Sequence, residues 1–218
     1  MSISQTVEEI VFEQPAMVWA MASGVVNYTA AAEYLKQTVE KRINRKVSTE
    51  SVMMALRRMD MLRAKDLTGE LGKIVAGSSY TIESGFSDVV IDHRFSDIKT
   101  IIKWLDEYGG ESTTSLIVGL KYVSVVSDSA VLLEKMKSSN MNVIALVPEL
   151  AIFKIKLPKE ALNTPGVIAI FSQELAKRGV SVQEQESAHT EIGFIIKEQD
   201  INKAVEAFNH LKKSLGKK

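Results

Sequence analysis

From residue 88 onward the chain repeats one order of predicted elements, and no other feature restricts its fold as much. Residues 88–92 form a strand candidate, and a helix is predicted over 96–108. Apolar strands at 115–119 and 122–127 follow, then a helix at 129–138 and a strand at 142–148. That order is βαββαβ. A second pass begins near Leu150 with a strand at 151–157 and a helix at 166–177. Strands at 180–186 and 191–196 come next, and a last helix spans 201–211. This pass reads βαββα, with its final strand missing or supplied from elsewhere. Two helices on one face of an antiparallel sheet would bury each apolar stripe. The 180–186 strand turns polar after Val182, which suits an edge where another subunit can pair.

The first 63 residues read as all helix. Val7, Ile10, Val11 and Val18 set a helical period, and Pro15 opens a second short helix that Gly24 stops. Asn27-Tyr28-Thr29 restarts the chain, and Ala32, Leu35, Val39 and Ile43 recur at helical spacing. The polar stretch Asn44-Arg45-Lys46 breaks this helix. Ser48 or Thr49 caps the next, where Val52, Ala55, Leu56, Met59 and Leu62 form an apolar stripe. Gly69, Gly72 and Gly77 then punctuate the chain. They place a domain boundary near Gly77 and leave room for a wing-like hairpin between Lys65 and Ser79.

Charge is balanced overall, with 27 basic and 27 acidic residues, so bulk charge names no partner. The local distribution is more specific. From Lys36 to Lys65 nine basic residues face three acidic ones, a net charge of +6. Helix, short turn, helix with a basic turn is the footprint of a helix-turn-helix. Lys41, Arg42, Arg45 and Lys46 are the candidate phosphate contacts. Thr49, Ser51, Met54, Arg57 and Arg58, on the open side of the second helix, are the candidate major-groove contacts. A solvated basic face on a helical bundle, or a dimerisation element, explains the same pattern.

The inventory of chemistry argues against an enzyme. There is no cysteine, so disulfides, thiol catalysis and Cys-based metal sites are excluded. His93, His189 and His210 have no second histidine or carboxylate at metal-ligand spacing on one helix, and His189 lies in an apparent turn between strands. No nucleophile elbow, phosphate loop, dinucleotide fingerprint or zinc-protease motif is present. No catalytic residue, metal or cofactor is therefore expected. No apolar run approaches the roughly 18 residues of a membrane span. The start of the chain lacks signal-peptide features. A cytoplasmic protein is the expectation.

One turn carries the binding chemistry. Asn163-Thr164-Pro165-Gly166-Val167-Ile168 links a strand to a helix that ends at Gly179, and Val180-Ser181-Val182 begins the next strand. The start of such a helix has unpaired N–H groups and partial positive charge, so a carboxylate can rest there. The alternative is that Thr164 is simply an N-cap and Pro165 a first-turn proline. Thr-Pro-Gly-Val followed by Leu-Ala-x-x-Gly-Val-x-Val resembles the effector-binding half of an ACT domain. The resemblance covers about residues 79–214 and is similar to the tandem regulatory region of aspartate kinases, without the kinase part. The segment 24–32 resembles the entry to a helix-turn-helix, and also the helical region that some free-standing archaeal ACT-like proteins carry.

The resemblance implies an amino acid held by Asn163, Thr164, Pro165, Gly166, Val167 and Ile168, with Ser181 or Gln183 reaching its amine. Serine at 181 stands where the family often has asparagine, and Leu162-Asn163 replace a frequent acidic residue. The resemblance also implies a homodimer or higher homo-oligomer.

The resulting expectation is an α+β chain. A helical, helix-turn-helix-like domain at 1–77 precedes two ferredoxin-like βαββαβ (ACT-like) units at 78–148 and 149–218. The expected function is amino-acid-responsive regulation of transcription through duplex DNA. The alternative is a regulatory subunit that docks on an amino-acid biosynthetic enzyme.

Overall fold

The computed structural model describes residues 2–22, 24–59, 62–92 and 95–215; Asp60, Met61 and His93 lie outside them. The chain divides into two compact units, residues 1–73 and 74–217.

In the first unit, Ser2 opens helix α1 (Ile3–Phe12) with a reciprocal Ser2–Gln5 capping box. Helix α2 (Pro15–Ala22) starts at its proline. Asn27 accepts the amides of Thr29 and Ala30 and so starts α3 (Tyr28–Ile43). Asn44 ends α3 in the left-handed conformation, at φ 52°. Asparagine tolerates this geometry better than most L-residues, so the turn does not need a glycine. Ser48 caps α4 (Thr49–Arg58), accepting the Ser51 amide at 3.1 Å. Val7, Ile10, Leu35, Val39, Val52 and Leu56 form one core. The predicted α4 stripe stops early, because Met59 is extended and Leu62 begins the next helix.

The stretch that left room for a wing is helical instead. Helix α5 (Leu62–Gly77) runs through Gly69 and Gly72. A glycine costs about 1 kcal/mol in a helix, and burial of Leu71, Ile74 and Val75 opposes that cost.

Among its described residues, the second unit holds one antiparallel sheet and, after the end of α5, four α-helices. Strand β1 (Ser79–Asp92) is followed by α6 (Phe95–Tyr108), β2 (Thr114–Val118), β3 (Tyr122–Ser127), α7 (Ala130–Lys137) and β4 (Val143–Lys156). A 3-10 turn at Lys159–Asn163 leads to α8 (Val167–Lys177), β5 (Val182–Ala188), β6 (Glu191–Lys197) and α9 (Ile201–Leu215). The strand order is β2-β3-β1-β4-β6-β5. The two 14-residue strands pair along their length, and each serves both halves of the sheet. Residues 87–92 of β1 pair with β3, while residues 150–156 of β4 pair with β6. The final, fourth strand of the second half is thus residues 79–84, at the start of β1. The sequence reads only 88–92 as strand. It separates the two units at 148, but β4 continues unbroken through that point.

Val89, Ile91, Val123 and Val125 meet Ile101, Leu132 and Met136 of α6 and α7. In the other half Phe208 of α9 packs edge-on to Tyr80 and Phe153 and stacks with Phe171 at 6.1 Å. Aromatic pairs of this kind add about 0.5–1.5 kcal/mol beyond area burial.

Candidate functional site

The α8 turn begins where β4 ends. Pro158 is the N-terminal flank of the 3-10 turn, and Ala161 donates its amide to the Pro158 carbonyl at 3.1 Å. Thr164 does not cap the helix. Its hydroxyl turns back and donates to the Glu160 carbonyl at 3.0 Å. Pro165 lies before the helix rather than in its first turn. The N-cap is Gly166, at φ 87°, and no side chain caps it. A left-handed backbone at this point favours glycine. Ile170 donates to the Gly166 carbonyl at 3.0 Å, which leaves the amides of the first turn without partners inside the helix.

Val167 is buried and anchors the tip, while Asn163, Pro165, Gly166 and Ile168 are exposed. The far end of α8 closes as the glycine predicts. Gly179 is left-handed, its amide donates to the Ala176 carbonyl, and the Val180 amide donates to Leu175. This is the Schellman arrangement. Ser181 and Gln183 follow at the start of β5, which is an edge strand, and both are exposed. Gln183 donates weakly to Ser181 at 3.5 Å. Among the described residues no hydrogen bond joins either of them to the 163–168 turn. His189 sits in the β5–β6 turn at φ 55° and is exposed.

Glu174 lies on the inner side of α8, with its side chain 3% exposed. Burial pushes its carboxyl pKa up, but bonds from Arg178 and Lys177 outweigh this and leave it below the ordinary value. His210 Nδ1 of α9 approaches the same carboxylate at 2.9 Å. No local spacing announces this cluster, because Glu174 and His210 lie on different helices.

The basic turn of the first unit is partly neutralised. Both Arg42 Nη atoms donate to the Glu13 carboxylate at 2.9 Å, and Glu9 lies 4.0 Å away. Glu13 is held below its usual pKa by that guanidinium. Lys46 pairs with Glu40 at 3.0 Å, while Glu40 also accepts the Val47 amide. The amide first, and then Lys46, depress the Glu40 pKa. Lys41 and Arg45 are exposed. On α4, Ser51, Met54, Arg57 and Arg58 form an exposed stripe opposite Val52, Ala55 and Leu56, with Thr49 half-buried beside it. The Ser51 hydroxyl lies 2.8 Å from that of Ser48, so it belongs to the cap. The Arg57 guanidinium lies 6.0 Å from the Tyr28 ring centroid.

No family model matches the sequence, and no curated protein matches it. Solved structures are similar in fold. The Clostridium acetobutylicum aspartate kinase matches with a TM-score of 0.53 at 17% identity, over 61% of this chain and 34% of that one. The ligand-free regulatory subunit of the Thermus thermophilus aspartate kinase matches at 0.51 and 16%, over 61% of this chain and 95% of the subunit. Escherichia coli aspartokinase III, solved with aspartate and ADP, matches at 0.50 and 10%, over 61% and 33%.

The fold is ACT-like.

At these identities the likeness concerns fold alone, and the chain spans about a third of the length of each of the two kinases. In ACT-like terms, the first half of the sheet is β1 (87–92), α6, β2, β3, α7 and β4 (143–147). The second half is β4 (150–156), α8, β5, β6 and α9, completed by β1 (79–84). Among the described residues no group of three His, Asp or Glu side chains is placed to hold a metal, and no helix is long and apolar enough to cross a membrane.

Proposed function

We propose that this protein is a ligand-responsive regulator. Its sheet unit binds a small effector bearing a carboxylate, most simply an amino acid, at the tip of α8. Its helical unit binds duplex DNA. The observation that carries the first part is the uncapped Gly166 tip, with the Thr164 hydroxyl turned away from it. The amides of Val167 and Ile168 then take the carboxylate, and Ser181 or Gln183 takes the amine, with Asn163, Thr164 and Pro165 shaping the rim. The edge position of β5 supports a site completed by a second copy of the chain. The E. coli kinase of similar fold was solved with aspartate, which supports an amino acid as the ligand class.

For DNA, the exposed stripe of α4 supports groove contact through Thr49, Ser51, Met54, Arg57 and Arg58. Lys41, Arg45 and Lys46 would take phosphates, and Arg42 is already engaged by Glu13. The reading assigns no catalysis and no cofactor. A second reading has its own support: the Thermus subunit, matched over 95% of its length, is a regulatory subunit of an enzyme. Docking on a biosynthetic enzyme would then replace DNA binding.

A thermal-shift screen against the twenty amino acids tests the sensor. A ligand at 100 times its Kd stabilises by about 2.7 kcal/mol, so one or a few amino acids should raise the midpoint of the sheet unit. If none does, the sensor reading fails. Retardation of duplex DNA at low salt tests the other part, with steep weakening as salt rises. Replacing Arg57 and Arg58 by alanine should abolish the retardation, and Arg42→Ala should leave it nearly unchanged. Absence of retardation favours the docking reading.

A further inference from the structure

The outer face of α4 leads with an acid that the proposed function leaves unassigned. Helical residues advance by about 100° each, so Glu50, Met54 and Arg57 fall within about 60° of one another. They are exposed and lie opposite the buried Val52, Ala55 and Leu56, with Ser51 and Arg58 at their flank. Glu50 thus stands in the middle of the surface offered to DNA, in the first turn of the helix.

The other polar side chains at this helix start are engaged or turned inward. Ser48 caps α4, and its hydroxyl lies 2.8 Å from that of Ser51. Thr49 is half-buried. Of the acids between Lys36 and Lys65, Glu40 is held by Lys46 and the Val47 amide, and Asp60 lies outside the described residues. Among the described residues no hydrogen bond or ion pair engages Glu50. An acid in a first turn favours the helix by itself. Here it also stands unpaired on the same face as Arg57 and Arg58.

An ionised carboxylate only accepts hydrogen bonds. In the major groove guanine presents two acceptors, and thymine an acceptor and a methyl group. Adenine offers a donor with the N7 acceptor beside it, whereas cytosine offers its N4 amino group. Away from such a donor the charge meets acceptors and phosphates, which repel it. We infer that Glu50 is a specificity residue of the DNA interface: its carboxylate accepts from the N4 amino group of a cytosine and penalises duplexes without one at that step. The inference rests on the DNA reading of the helical unit and adds one base that α4 reads. Arg57 and Arg58 supply attraction to any duplex, and Glu50 makes that attraction conditional.

Selection from a randomised duplex library tests it, run with the full chain for the parent, Glu50→Gln and Glu50→Ala. Glu50 is exposed and outside the core, so both variants should fold. The parent should enrich cytosine at one position of its site. Replacing that base should weaken retardation by about 5–150-fold, the range for one mismatched base pair. Glutamine pairs with adenine through N6 and N7, so Glu50→Gln should shift that position from cytosine to adenine. Glu50→Ala should lose the preference there and keep it elsewhere. Both variants should bind a random-sequence duplex more tightly than the parent, most clearly at low salt. The same base preferences in parent and Glu50→Ala overturn the inference, whatever the overall affinity, and mark Glu50 as support for the helix alone. A parent that retards no duplex removes the DNA reading itself, and this assignment with it.

Discussion

Gly85 and Glu149 each occupy the seventh position of a 14-residue strand, and each has positive φ, 90° and 59° respectively. Both belong to the irregular centre of the β1–β4 ladder, where the register shifts. Two adjacent residues at the end of β6 tie them down: Lys197, its last residue, donates to the Pro148 carbonyl, and the Gly85 amide donates to Oε1 of Glu198, the next residue, at 2.7 Å. Replacing Gly85 with alanine isolates the backbone cost, because an added Cβ meets no atom within 4 Å. A left-handed conformation costs an L-residue about 1–2 kcal/mol, and loss of unfolded-state freedom returns about 0.4–1 kcal/mol. Gly85→Ala should therefore destabilise by about 1 kcal/mol, as the difference of those two ranges. Glu149→Gly runs the argument backwards and should stabilise by about 0.5–1 kcal/mol. Trp104 lies in α6, within the sheet unit, and Trp19 in α2. In a Trp19→Phe background, urea unfolding followed by Trp104 fluorescence reports the sheet alone, which matters because the two units need not unfold together. With a slope of about 2 kcal/mol/M, 1 kcal/mol moves the midpoint by about 0.5 M. An unchanged midpoint in Gly85→Ala, or shifts of the same sign in both variants, would refute the assigned backbone geometry.

Two further outcomes follow from single residues. Gly69 lies within α5 with open space around its Cβ position, so Gly69→Ala should stabilise the helix by about 1 kcal/mol, read as a higher midpoint in circular dichroism. Because the Glu174 pKa is depressed on folding, its stabilising contribution is complete above the ordinary value of 4.5 and is lost as pH falls through the lower folded value. Glu174→Gln should flatten that acid limb in urea midpoints measured from neutral to acid pH; an unaltered limb refutes the assignment.

Local signals carried much of this fold. The helical periods before Arg58 and the caps at Asn27 and Ser48 are short-range features, and the folded chain keeps them. Gly179 ends α8 and begins a strand because a Schellman turn depends on a few consecutive residues. The α8 tip was less legible. Thr164 is a good capping residue, but the 3-10 turn before it takes its hydroxyl, and Gly166 caps instead. In α5, three glycines imitate a linker, and burial of Leu71, Ile74 and Val75 overrides them. The contacts of Arg42 with Glu13, and of Asp88 with Ser124, join residues far apart in the chain, so no local spacing announces them.

The missing final strand of the second half shows where the boundary of local reading lies. Tyr80-Thr81-Ile82 alternates as a strand should, but Glu83-Ser84-Gly85 interrupts the pattern, so β1 reads as starting later. The interruption is what the fold needs. A left-handed glycine lets one strand turn its side chains from one half-sheet to the next without ending its ladder. Tyr80 then reaches Phe153 and Phe208 in the second half, while Val89 and Ile91 of the same strand fill the core of the first. Each half borrows from a strand that also belongs to the other. Burial in one half therefore fixes the register of both, and the sheet unit gains its cohesion from β1 and β4 rather than from contacts between finished modules.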